Sequence, residues 1–148
     1  MTAASPADEP RDPNATHVAF YGDSYTLGTG ASEQTNRWST IICEERDWQE
    51  FNPSVNGLGF VTNRGSLDLP GAVIAEDPDI VFVTMGLNDN FSYPEEADDI
   101  HAQIDSDIDR LTDALPDTRF IIVEPFWYTD YRPESVDVII GWVKEAAE

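Results

Sequence analysis

Three nearly continuous apolar runs govern what this chain can fold into: residues 17–22 (HVAFYG), 79–86 (DIVFVTMG) and 119–127 (RFIIVEPFW). A strand with one wet face alternates apolar and polar residues. These runs do not, so each is expected to be a strand covered on both sides. Helix-like segments separate them. Residues from about Asn36 to Asp47 suit a helix with Trp38, Ile41 and Ile42 on its apolar side, and WQEF (48–51) a further strand. Ala97, Ile100, Ile104, Ile108, Leu111 and Leu115 recur every three or four residues and make one stripe, closed by Pro116. Residues 133–148 read as a last helix, with Pro133 near its first position and Glu134 in its first turn, favourable to the helix dipole. Strand–helix alternation of this kind specifies an α/β fold, a parallel sheet between two layers of helices.

In such sheets, ligands bind beyond the carboxyl ends of the strands. Ser24 follows the first strand, Gly57 and Gly59 follow the second, and Asn88 and Asp89 follow the third. One edge of the sheet therefore collects all of them. A serine hydroxyl attacks well only when a base takes its proton and donors hold the developing oxyanion. The Ser24 amide, the Gly57 amide and the Asn88 carboxamide are donors of the right kind.

The 148 residues suffice for one domain, expected over 17–148 after a polar, Pro-rich lead-in at 1–16. That lead-in has no apolar core of a signal peptide, which favours the cytoplasm unless a leader has been removed. No apolar run reaches the ~18 residues of a membrane span. Against 29 acidic residues stand only eight basic ones, for a net charge of −21. Such a field repels nucleic-acid backbones and anionic membranes. It suits concentrated salt, where the Debye length shrinks to about 3 Å at 1 M and self-repulsion fades.

Cys43, the sole cysteine, excludes an internal disulfide and a cysteine-built metal cluster, and reads as a buried helix residue. Gly28-Thr29-Gly30 does not continue into a dinucleotide fingerprint, and no phosphate-binding P-loop occurs. DSDIDR (105–110) breaks the calcium-loop pattern at Arg110 and reads as a solvated helix face. No cofactor is implied.

Gly22-Asp23-Ser24 with Gly28, Asn52 to Gly57 as N-x-x-x-x-G, and Gly86-Leu87-Asn88-Asp89 as G-x-N-D resemble the first three blocks of the SGNH (GDSL-type) hydrolases. GASEQTNRWSTII after the first block and VEPFW at the fourth strand are also similar to members of that family. The resemblance covers residues 17 to 147. It implies a flavodoxin-like three-layer sandwich and hydrolysis of small-molecule esters or thioesters. By the same resemblance Ser24 is the nucleophile, Gly57 and Asn88 supply oxyanion donors, and Asp23 and Asp89 orient their loops. Gly59 replaces Gly57 if the loop aligns two places later.

The family's D-x-x-H block, carrying the base and its orienting carboxylate, lies after a fifth strand. Here the sequence stops at GWVKEAAE, so four strands are expected and the fifth is missing. His17 stands at the wrong end of the first strand. Asp98-Asp99-Ile100-His101 matches D-x-x-H by letters alone, on the amphipathic helix. A truncated hydrolase, weak or inactive as written, is the expectation. An unpaired RFIIV edge would favour self-association, which light scattering reads directly. The rival reading is a non-catalytic module that holds an anion or acyl group in the same cleft. Adaptation to salt predicts that the thermal midpoint rises as KCl goes from low to molar concentration; a fall would contradict it.

Overall fold

The first apolar run becomes β1 (Thr16–Gly22), with every residue after Thr16 buried. It leads into a single-turn α1 (Ser24–Leu27), then α2 (Trp38–Arg46) and β2 (Trp48–Phe51). Next come α3 (Leu69–Glu76), β3 (Ile80–Thr84), α4 (Ala97–Ala114), β4 (Arg119–Ile122) and α5 (Glu134–Ala147). These elements come from a computed structural model that describes residues 11–127 and 129–148. Most of the expected lead-in, residues 1–10, lies outside the described residues.

The four strands are parallel in the order β2-β1-β3-β4. From β1 the chain runs outward to β2, then crosses back to lay β3 on the other side of β1. That reversal makes the carboxyl ends of β1 and β3 a topological switch point, where a crevice forms by geometry alone. Gly22, the last residue of β1, stands in register with Thr84, the last of β3.

Alternate residues of the central strands feed two separate cores, as the pleat requires. Ala19, Tyr21, Val81 and Val83 pack with Ile100, Ile104 and Leu111 of α4, Val73 of α3, and Ile139 and Val143 of α5. Val18, Phe20, Ile80 and Phe82 point the other way, toward Cys43 of α2. On that side Phe20 stacks on Phe82 at 5.1 Å, and Trp38 meets both rings edge-on. The result is the flavodoxin-like sandwich, with three helices on one face.

Two local expectations change, and α3 is added to the elements that the sequence pattern marks. The buried residues of α2 are Ser39, Thr40 and Cys43, whereas Trp38 and Ile41 are 36% and 41% exposed. The polar pair is inside because it holds buried partners. Thr40 Oγ1 donates to Glu50 at 2.7 Å, and Ser39 Oγ accepts from Asn52 at 2.9 Å. The run at 119–127 is a half-buried strand only as far as Ile122, because β4 is a sheet edge. Pro125, which has no N–H to donate, stands just beyond it. And α3 lacks an apolar stripe to announce it; its signals are Asp68, which caps Gly71 N, and Pro70 in the first turn.

One buried ion pair fastens this frame to the first loop. Arg37 binds Glu50 of β2 at 3.1 Å, with side chains 5% and 2% exposed. Its other nitrogens reach Thr40 Oγ1 and the Leu27 carbonyl at the end of α1. Removing one member of such a pair strands a buried charge and costs about 3–5 kcal/mol. The Cβ that Gly28 lacks would lie 2.6 Å from Arg37 Cβ, so glycine is required where α1 turns back at φ 95°.

Candidate active site

Ser24 begins α1 immediately beyond β1, and tight packing sets its position. A Cβ on Gly22 would lie 2.4 Å from Thr84 Oγ1 and 2.6 Å from Thr26 Cβ, so only glycine lets the end of β1 approach β3 this closely. The Thr26 and Thr84 hydroxyls then meet at 2.6 Å. Asp23, 2% exposed, caps α1 by accepting from Tyr25 N at 3.0 Å.

The second loop is latched onto the first. Asn52 donates to the Thr26 carbonyl at 2.8 Å and accepts from Ser54 N. Val55 N reaches the Gly22 carbonyl at 3.3 Å, and the Thr29 hydroxyl donates to the Asn56 side chain. Residues 55–58 form a turn closed by Leu58 N to Val55 O, with Gly57 at φ 74° in its third position, as a type II turn demands.

The third loop locks the second. Asp89 is fully buried and accepts from the amides of Phe60, Val61 and Thr62 at 2.7, 3.0 and 3.2 Å. A Cβ on Gly59 would lie 2.5 Å from that carboxylate. The Gly59 amide already donates to the Thr62 carbonyl at 2.8 Å. Gly59 is thus a residue of close approach with its donor spent, whereas the Gly57 amide has no partner among the described residues. Asn88 reaches across to both other loops: its Nδ2 donates to Leu58 O at 3.0 Å and lies 3.4 Å from Asp23 Oδ2. The longer contact is at the limit of a hydrogen bond, which leaves one amide hydrogen available to a ligand.

An apolar cavity of about 270 Å³ opens beside α1, lined by Asp23, Tyr25, Trp38, Phe82, Leu87 and Phe126, among others. Both sequence neighbours of Ser24 belong to its wall. Neither histidine touches this region. His17 Nε2 contacts the Asp12 carbonyl at the opposite end of β1. His101 stacks on Trp142 of α5 at 4.7 Å, with Asp105 and Glu145 each 3.8 Å away. Among the described residues no group of three or more His, Cys, Asp or Glu is arranged to hold a metal ion.

Sequence reasoning missed a buried polar node behind the second loop. Asp107, 1% exposed, accepts from Tyr21 Oη at 2.8 Å, from Gln103 Nε2 at 2.8 Å, and from two nitrogens of Arg64 at 2.6 and 3.1 Å. This corrects the reading of 105–110 as wholly solvated. The signal was present: Asp107 falls three residues after Ile104 and four before Leu111, on the apolar stripe of α4. A carboxylate there demands a cation.

A family model described as GDSL-like lipase/acylhydrolase matches residues 20–148. No curated protein matches in sequence. Among solved structures, the psychrotrophic esterase EstA from Pseudoalteromonas sp., inhibited by monoethylphosphonate, is similar at 15% identity and a TM-score of 0.69. That likeness covers 89% of this chain and 72% of EstA. The acetyl xylan esterase AlAXEase is similar at 17% identity and a TM-score of 0.69, over 88% of this chain and 72% of its own. A family two carbohydrate esterase from Cellvibrio japonicus reaches 17% identity and a TM-score of 0.69, over 93% of this chain and 49% of its own. At these identities the likeness establishes a shared fold.

Burial raises the Asp23 carboxyl to about 6, against the pull of the Tyr25 amide. Between those two values of pH the folded chain thus holds a proton there that the unfolded chain, with its ordinary 3.8, has released. Asp23's contribution to stability is full below its ordinary value of 3.8 and is lost as pH rises through about 6. Carbon-13 NMR of this carboxyl is expected to titrate near 6; a midpoint below 4 would contradict its burial.

Proposed function

The chain belongs to the GDSL-like lipase/acylhydrolase family, and on that premise we propose that it is a serine acyl hydrolase acting on small carboxylic esters or thioesters through Ser24. The observation that carries this reading is the Asn88 side chain, which lies against Asp23 of the first loop and Leu58 of the second. Ser24, Gly57 and Asn88 belong to segments far apart in sequence and drawn to one switch point.

In the proposed reaction Ser24 Oγ attacks the acyl carbon, and the carbonyl electron pair moves onto oxygen. The amides of Ser24 and Gly57 and the Asn88 carboxamide donate to that oxyanion. Collapse expels the alcohol or thiol with a proton, and water releases the acid from the acyl-serine. The apolar cavity beside α1, whose wall includes Asp23 and Tyr25 on either side of Ser24, is the proposed acyl site. Each oxyanion donor contributes roughly 10² to 10³ in rate.

The attacking proton has no histidine acceptor at Ser24 within these 148 residues, since His17 and His101 are both engaged elsewhere. In a comparable serine hydrolase, loss of the base or nucleophile costs about 2 × 10⁶ in kcat. Oxyanion donors and binding alone retain roughly 10³ to 10⁴ over water. The proposal is therefore a weak hydrolase as the chain stands. The same lack of a base favours a second reading, a binding module that holds an acyl group or anion without turnover.

A fluorophosphonate separates the two, because covalent capture needs a reactive serine and binding does not. The expected result is slow labelling confined to Ser24 and abolished in Ser24→Ala, with little turnover of p-nitrophenyl esters. No labelling at all would favour the binding module. Fast, Ser24-dependent turnover, in the usual enzymatic range of about 1–10³ per second, would overturn the assignment as a weak hydrolase.

A further inference from the structure

Among the described residues, Asn63 is one of three non-glycine residues with positive φ, at 59°. Left-handed backbone disfavours a side chain, and asparagine tolerates it better than most. Glycine stands at φ 74° at position 57 and at φ 51° at position 65, so a glycine at 63 would be the unstrained choice. What the asparagine adds is its carboxamide. Asn63 Nδ2 donates to the Gly57 carbonyl at 2.9 Å.

We propose that Asn63 is a positioning residue of the oxyanion site, orienting the Gly57 amide through the Gly57 carbonyl. The inference rests on the reading of Gly57 as a donor. The peptide joining Gly57 to Leu58 is held at both ends, its carbonyl by Asn63 and its N–H by the Val55 carbonyl at 3.3 Å. On the other side, Thr29 holds the Asn56 side chain. Between these two supports lies the peptide bond that carries the Gly57 N–H. In a turn of this type the central peptide is the one that flips when the turn changes class, reversing the direction of that N–H.

Asn63 is itself anchored. Its neighbour Arg64 pairs with buried Asp107 through two nitrogens and also donates to the Phe60 carbonyl at 3.0 Å. Phe60 N is held in turn by Asp89. The limb from 60 to 64 is therefore fixed against α4 and against the loop that bears Asn88. Asn63 passes that fixed position on to Gly57. Being exposed, its side chain adds little to the core.

The test is Asn63→Gly, which accepts the same backbone and removes only the donor. With a fluorophosphonate, the maximal inactivation rate at Ser24 is expected to fall roughly tenfold, less than the loss of a whole donor. The concentration for half-maximal rate and the thermal midpoint are expected to hold. Hydrogen exchange at the Leu58 amide, which closes the turn on the Val55 carbonyl, is expected to quicken about fivefold, the scale of one hydrogen bond. An unchanged inactivation rate would overturn the proposal, as would a fall that simply tracks lost stability. If the native chain were not labelled at all, the hydrolase reading would fail separately. Exchange at the Leu58 amide would then decide this one: faster in Asn63→Gly supports positioning, and unchanged overturns it.

Discussion

A single buried carboxylate holds the site together. Asp89 lies out of water and receives three consecutive backbone amides and the Thr62 hydroxyl. An isolated carboxylate in that position would be very costly, but charge-assisted hydrogen bonds offset the loss of solvent. Burial still leaves the carboxyl above its ordinary range. Because Asp89 follows Asn88 in sequence, the same contact that folds the second loop also sets its distance from the third. Gly59 is glycine so that the backbone can close on this group.

The frame behind that contact is built the same way, from charges taken inside only where a partner waits. Arg37 and Glu50 tie β2 to the end of α1, and Arg64 and Asp107 tie the second loop to α4. In a chain of net charge −21, two of the eight basic residues are spent on these buried carboxylates. Among the described residues, the other acidic side chains reach water, apart from Asp23 and Asp89 at the site. The architecture is thus a neutralised interior inside an acidic surface, and the switch point between β1 and β3 supplies the crevice.

Much of this was legible in the sequence. Unbroken apolar runs gave a parallel sheet, and the order of elements put Ser24, Gly57 and Asn88 on one edge. The stripe from Ala97 to Leu115 fell on α4 almost residue for residue. What escaped were features that depend on pairing across long separations. Ser39 and Thr40 are inside because Asn52 and Glu50 need them, and no helical periodicity reveals that. Asp107 looked solvated until its stripe position was matched with Arg64, 43 residues earlier. α3 has Pro70 and Gly71 in its first turn and no apolar stripe to mark it as a helix. That the Gly59 amide is occupied, and the Gly57 amide has no partner among the described residues, is a property of the folded loop.

Convergence of three donors on one oxygen is what the structure of the chain with a phosphonate bound to Ser24 would reveal. The phosphoryl oxygen is predicted to lie about 2.7–3.1 Å from Ser24 N, Gly57 N and Asn88 Nδ2 together. An adduct whose oxygen faces solvent, with Asn88 still turned to Leu58 and Asp23, would contradict it.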